Sequence, residues 1–548
     1  MKNNAKHCAG LLAGVLMGSA LCAMNQVNWI QNVPGRWLDE ANWDAGYAPG
    51  GENDTAPEET YAYMSGSHVD VTLDGAISPI NVLGMYDEVK LLAKDTKIEI
   101  SGTDAIFNLW HGSVLTLDNS TLTHLSKNMD FQNSSSIIAK NGSKLQLHLA
   151  GGNSININST SSDIFESSQT IHLQSGSTID AQGSGDIFFN NQNEWTGVVN
   201  LIFEGEGSGV SNFSDAANAN RAIWLSGMGD TNLTFKNTEF DGLIAINGDI
   251  GNRAVVFDGA NIDTKTANAN FIYQHVGMLE KTAEMTFKNN TIAKFNGKAV
   301  TVGVAAGSDS IWSFNVDSGS KLEGLGGINI GSAEVLGAEY TTMSLNVRGG
   351  GSIEGKSMVL GQNISGEGSS VELNIEGAGS KVNFIDALIG SSNKEALNTV
   401  INIKDADNGA LYTGSALYLN AGTLINIELA NRNANVAEGM IFGFHIGAET
   451  DPTFMVDFSE LTLEEGIYRF ALISYEGDYH PQISLQDFDV SYYFGKRSGF
   501  VDAWLVEEGK TLFVEAYTEG CVIPEPGAFA AVLGLAALLC AAARRRGK

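Results

Sequence analysis

Apolar and polar residues alternate in short runs along most of this chain: His68 to Leu73 (HVDVTL), Ser113 to Leu117 (SVLTL), Lys144 to Leu149 (KLQLHL), Thr170 to Leu173 (TIHL) and Asn232 to Phe235 (NLTF). A period of two belongs to a strand with one buried face. No long stretch of the body carries helical periodicity bounded by caps. The runs also repeat. Ser313-Phe314-Asn315-Val316, Ser344-Leu345-Asn346-Val347 and Glu372-Leu373-Asn374-Ile375 each lead through a Gly-Ser turn (Gly319-Ser320, Gly351-Ser352, Gly379-Ser380) to a glycine at 331, 361 or 390. Val400-Ile401-Asn402-Ile403 continues the series, so the asparagines stand 31, 28 and 28 residues apart. A repeat holding two or three short strands buries its apolar face only against its neighbours, which predicts a parallel β-solenoid (β-helix) over residues 65–434. About thirteen coils stacked at ~4.8 Å make a rod ~60 Å long. Asn315, Asn346 and Asn374, each between two apolar residues, are expected to form a side-chain ladder from coil to coil.

A solenoid exposes strand edges at both ends, and these need covers. Residues 24–64 are read as the first: Trp29, Trp37 and Trp43 lie close together amid Gly, Asn and Asp. The stretch Gly35-Arg36-Trp37, Asn42-Trp43, Ala48-Pro49 and Asn53-Asp54-Thr55-Ala56 resembles the opening motif of autotransporter-like β-solenoid surface proteins. Residues 435–520 lose the Gly-Ser turns and gain aromatic clusters, Tyr468-Arg469-Phe470 and Tyr492-Tyr493-Phe494, and Val506 to Val514 reads as a hairpin. That region is expected to be a β-rich C-terminal cap or small sandwich. The predicted fold class is all-β, completed by a short C-terminal transmembrane helix.

Composition agrees with many turns between strands, since 548 residues include 63 Gly but only 8 Pro. The net charge is −31, and residues 1–23 and 527–548 hold six basic side chains and no acidic one, leaving a body of 26 basic against 63 acidic residues. Such a surface repels nucleic acid and anionic membranes. Cys8, Cys22, Cys521 and Cys540 all lie in or beside the terminal segments, so the body from Met24 to Gly520 has no disulfide to rely on.

Both termini carry targeting features. Lys2 and Lys6 precede the apolar stretch Leu11 to Ala23, which reads as a secretory signal peptide over residues 1–23, the substrate of export machinery and signal peptidase. At the other end, Pro524-Glu525-Pro526 precedes the apolar run Ala528 to Ala543, followed by Arg544, Arg545 and Arg546. Sixteen residues as a helix span ~24 Å, enough to cross a bilayer with local thinning, and the arginines favour a cytoplasmic C-terminus. The order of these elements over residues 521–548 resembles the PEP-CTERM sorting signal. The resemblance implies recognition by an exosortase, transient anchoring in the inner membrane, removal of the tail and delivery to the cell surface or extracellular matrix.

Candidate chemistry is sparse. The chain has no His-Glu-x-x-His and no Gly-x-Ser-x-Gly motif, and its histidines form no pair at metal-ligand spacing. Gly350 to Ser357 (GGSIEGKS) matches a phosphate loop in letters but overlaps the repeat's own turn. Asn261-Ile262-Asp263 matches one element of a polygalacturonase pattern without its companions, and Asp405 to Gly409 lacks the distal Glu of a calcium loop. The expectation is therefore no catalytic, cofactor-binding or metal site, and a noncatalytic structural or matrix role. An adhesin or glycan-binding protein is the alternative, and a polysaccharide-acting enzyme a more distant one. Trp110, Trp195, Trp224 and Trp312 are too scattered in sequence to mark an adhesive face. A barrel-type self-secreting domain is not expected, because the C-terminus is an Ala-rich run with arginines.

Overall fold

The computed structural model describes residues 25–519, except 31, 103–104, 125–127, 132–133, 149–154, 160–166, 183–186, 192–196, 212–221, 228, 247–250, 265–270, 274–281, 303–309, 332–339, 363–367, 391–398, 421–422, 449–451, 478–488 and 496–498. Residues 1–23 and 521–548, with the apolar run Ala528 to Ala543 and all four cysteines, lie outside the described residues. No helix among the described residues is long and apolar enough to cross a membrane.

The chain winds as a β-helix-like, all-β parallel fold. Val82–Tyr86, Lys90–Lys94 and Lys97–Ile100 make one coil, and the next, Ile106–Leu109, Val114–Asp118 and Thr121–His124, lies on it in register. Val82 pairs with Ile106, Lys90 with Val114 and Lys97 with Thr121. Each coil so adds one strand to each of three sides. A nine-stranded sheet forms one side of the N-terminal half, and a five-stranded sheet forms another. Seventeen strands from Gly35–Arg36 to Asp489–Tyr493 form the long sheet, an open ladder in which each pairs with the next coil. A fourteen-stranded sheet completes the structure. From Ser352–Leu360 onward one long strand serves two sides of the coil: its first half pairs with Lys321–Leu325 and its second with Gly327–Ile330.

Every strand pairing among the described residues is parallel except those of Thr511–Thr518 with Gly466–Tyr475 and Phe500–Glu508. The latter two-strand unit is the hairpin read from the sequence, turning at Gly509 (φ 63°). The composition change at Asn435 is thus not a change of architecture. Ile441–Ala448, Thr453–Asp457 and Asp489–Tyr493 still extend the parallel sheets, and antiparallel pairing enters only with the last strands.

Alternate residues point into one continuous core. Phe203, Phe235, Phe257 and Phe287 stack directly above one another, at centroid separations of 5.1, 5.2 and 4.9 Å. Stacking at the coil pitch lets identical side chains fill identical space, so the column is both apolar and repetitive.

Aromatics close both ends. Trp43 meets Trp29 and Trp37 edge-on at 5.2 and 5.0 Å, and its indole N–H donates to the Trp37 carbonyl (2.7 Å). Trp37 donates to Pro49 O at 2.9 Å. Gly35 is required here, because a Cβ would lie 2.8 Å from Trp29. Asp54, buried, accepts from Gly50 N (2.8 Å) and from the Thr60 hydroxyl (3.1 Å). The residues of the opening motif are therefore occupied in folding the first coil, whose strand Asn25–Asn28 already pairs in parallel with Thr60–Ser65. At the other end Phe458 gathers Phe470, Phe494 and Phe500 within 5.0–6.0 Å.

Candidate functional site

Pro524, Glu525, Pro526, Arg544, Arg545 and Arg546 fall outside the described residues, and the described surface is that of the coils and their caps. The outer face of the long sheet is organised in lengthwise columns. In one of them Asn315, Asn346, Asn374, Asn402 and Asn426 stand in register on five successive coils. Each Nδ2 donates to the Oδ1 of the coil before, at 2.7, 2.7, 2.6 and 2.8 Å. Asn315 continues to Glu284 Oε1 (2.9 Å) and the Thr286 hydroxyl (3.0 Å). The ladder expected from the repeated asparagines is present, it extends to Asn426, and it lies on the outside of the sheet, between inward Phe, Leu and Ile. It stops where Met455 faces Asn426, leaving the buried Oδ1 of Asn426 without an acceptor bond.

Two residues along each strand runs a second column: Lys94, Asp118, Lys140, Gln174, Glu204, Lys236, Asp258, Lys288, Asp317, Arg348, Glu376, Lys404 and Glu428. Its sign alternates coil by coil, with Gln174 the one uncharged rung. Ion pairs link Lys140 to Asp118 (3.2 Å), Lys236 to Glu204 (2.7 Å), Lys288 to Asp258 (3.6 Å), Arg348 to Asp317 (3.2 Å) and Lys404 to Glu428 (3.3 Å). Hydrogen bonds from Lys236 and then His172 hold the Glu204 carboxyl below its ordinary range. Glu428, after which the alternation breaks because the next residue in register is Asp457, is instead pushed up by burial, and Asp457 and Glu460 add to this against the pull of Lys404. No sequence reading found this column, because its members become neighbours only once the coil register is known.

The residue after each rung turns the corner. Up to Asp405, where it is not glycine it takes a positive φ, as at Asp95 (50°), Asn119 (49°), Asn141 (56°), Asn237 (49°) and Asn289 (56°), conformations that Asn and Asp tolerate better than most residues. Inside the corner a buried hydroxyl accepts the backbone N–H of the coil before: Ser120 N to Ser143 Oγ (3.0 Å), Ser143 N to Ser177 Oγ (3.1 Å) and Thr291 N to Ser320 Oγ (3.1 Å). This explains the Gly-Ser turns, and it corrects one alignment. Ser320 stacks on Gly351, with Ser380 one coil further, and not on Ser352, since Ser352 pairs with Lys321 and Lys381. A Cβ at Gly351 would lie 2.1 Å from Val316 O, so that corner admits no serine.

A lateral aromatic patch occurs on the nine-stranded sheet. Tyr86 lies 4.9 Å from Tyr63 and 5.0 Å from Trp110, and its hydroxyl is 2.9 Å from that of Tyr61 and 3.1 Å from Asn108 Nδ2. The rings close over Gly84, where a Cβ would meet Tyr61 and Tyr86 at 2.8 Å. Burial, reinforced by Tyr86, pushes the Tyr61 phenol well above its ordinary range. Trp110 so belongs to a cluster, whereas Trp312 is buried, Trp224 packs against Ala222, Leu243 and Ala245, and Trp195 lies outside the described residues. Tyrosines near in space and far in sequence carried the signal.

The remaining motifs resolve into architecture. Gly350 to Ser357 forms a corner and the start of the strand Ser352–Leu360, with no helix to aim N–H groups at a phosphate. Asp263 accepts from Asn296 Nδ2 at 2.8 Å. Arg432 bridges Asp405 (2.7 Å) and Asp407 (3.2 Å), supplying internally the cation such a loop would seek. No group of three or more potential metal ligands occurs among the described residues. No family model matches this chain, and neither a curated protein nor a solved structure matches it.

Proposed function

We propose that this is an exported, noncatalytic component of the cell surface or extracellular matrix, a β-solenoid rod with a C-terminal cap, sorted by an exosortase through its PEP-CTERM-like tail. Signal peptidase removes residues 1–23. The apolar run Ala528 to Ala543 holds the chain in the inner membrane until cleavage near Pro524 to Pro526. The observation that carries this reading is the lengthwise closure of the outer face. Along these columns asparagine amides are bonded to asparagines, and charges to opposite charges, one coil away, so neither set converges on a groove. The acidic body favours dispersal in a crowded surface layer and keeps nucleic acid away.

A second reading, adhesion or glycan binding, is favoured by the aromatic patch of Tyr61, Tyr63, Tyr86 and Trp110, whose rings and hydroxyls suit a neutral surface polysaccharide. Peptide mapping of the C-terminus in native cell fractions tests the main proposal. Loss of everything beyond Pro524 to Pro526, with the body in outer-surface or medium fractions, is expected. An intact Arg544 to Lys548 tail in inner-membrane fractions would sink it.

A further inference from the structure

The charge of this protein is not spread evenly along its length. Residues 24–89 hold 11 acidic and one basic side chain, and residues 405–520 hold 19 acidic and five basic, whereas the 315 residues between hold 32 acidic and 20 basic. Both ends are therefore strongly negative. Two copies approaching end to end meet like charge at close range.

The outer face of the long sheet is the opposite case. From Lys94 to Glu428 the charged column has six positive and six negative rungs, so its net charge is zero. Beside it, the column that ends in the asparagine ladder is uncharged from Thr234 through Val256 and Thr286 to Asn426. A parallel sheet with a neutral stripe bordered by alternating charge is thus carried on a body of 26 basic and 63 acidic residues.

Alternation also has a symmetry. A twofold axis lying along the strand direction, between the coils of Asp317 and Arg348, turns each of the eight rungs from Lys236 to Glu428 onto one of opposite sign in an antiparallel copy, and the match ends where Glu204 would meet Asp457. Asp317 then faces Arg348 of the second copy, Lys288 faces Glu376, Asp258 faces Lys404 and Lys236 faces Glu428. An axis through any rung would place like charges together, so the axis falls between coils, and among those positions the one between Asp317 and Arg348 matches the most coils from Lys236 to Glu428. Eight coils at ~4.8 Å, with strands spanning ~17–20 Å, give about 700 Å² per copy, near the ~800 Å² per partner of a standard specific interface.

We infer that two copies of this chain pair side by side and antiparallel through the outer face of the long sheet, over the coils from Lys236 to Glu428. The pairing is independent of tail processing. Sedimentation equilibrium of the full-length protein in nonionic detergent near 0.15 M salt tests it with two variants. K236E/K288E/R348E/K404E makes the eight rungs acidic, and D258K/D317K/E376K/E428K makes them basic. The wild type is expected to be dimeric, each variant alone monomeric, and their equimolar mixture a heterodimer. Because these variants also break ion pairs within the rod, the milder R348Q and D317N accompany them, each expected to weaken dimerisation about tenfold with far-UV circular dichroism unchanged. A wild type monomeric at ~0.1 mM would overturn the proposal. So would association undiminished in the folded R348Q and D317N variants, which would point to the apolar tail or another face.

Discussion

At the scale of single residues, the corner serines show how a small polar group can set a fold. Ser320 Oγ accepts from Thr291 N (3.1 Å) and is fully buried, so Ser320→Ala leaves an amide N–H without its partner in a dry corner. The expected cost is about 1–3 kcal/mol. Ser320→Thr should be nearly neutral, because threonine already fills this column at 291, where its hydroxyl donates to Lys288 O at 2.8 Å. Urea denaturation of the two variants distinguishes a hydrogen-bonding hydroxyl from mere small size, which predicts equal effects. The Gly-Ser pairs were legible in the sequence as turns, but not as a hydroxyl ladder. Letters alone set Gly351-Ser352 against Gly319-Ser320, and the one-residue slip is visible only in the strand register.

At the scale of the strand and its neighbours, the asparagine column is a cooperative element. Asn374 both donates to Asn346 and accepts from Asn402. Asn374→Ala interrupts two bonds on a half-exposed face where water replaces part of the loss, and about 1–2 kcal/mol of stability should go. Met455→Asn has the opposite sign: it offers a donor to the unpaired Oδ1 of Asn426 and should raise the thermal midpoint. Lowered midpoints for both would show that the column is not held by amide bonding. The ladder was legible because its members share a motif, Asn between two apolar residues. The charged column was not, since Lys, Arg, Asp and Glu follow each other there without a common neighbour. Sequence separations between coils also vary, 34 residues from Lys140 to Gln174 but 24 from Lys404 to Glu428.

At the scale of the whole molecule, packing and charge divide the work between the body and its ends. The strands and their parallel stacking followed from period-two patterning and repeats. The lateral aromatic patch did not, because Tyr61, Tyr86 and Trp110 reach one another only through coil stacking. Acid acts on the rod in two opposing ways, since protonation relieves the repulsion of a net −31 charge and also discharges the ion-paired carboxylates. Glu204 isolates the second effect. Its pKa is lowered by Lys236 and His172, so its contribution is fully present above the ordinary carboxylate pKa and is lost as pH falls through the lowered folded-state value. The stability difference between the wild type and Glu204→Gln, followed by thermal unfolding against pH, should be largest near neutrality and vanish in acid. A difference that grows on acidification would contradict the assignment. One further consequence follows from the in-register stacking of the long sheet, which persists although coil length varies. Most internal coils offer their successor a corner hydroxyl, an inward apolar row and a charge of the needed sign, and the covers are built on the first and last turns. The rod is in effect a ruler graduated in steps of ~4.8 Å. Two coils, carrying one rung of each sign, can be inserted or removed without disturbing either end, so the reach of the protein is set by gene length alone.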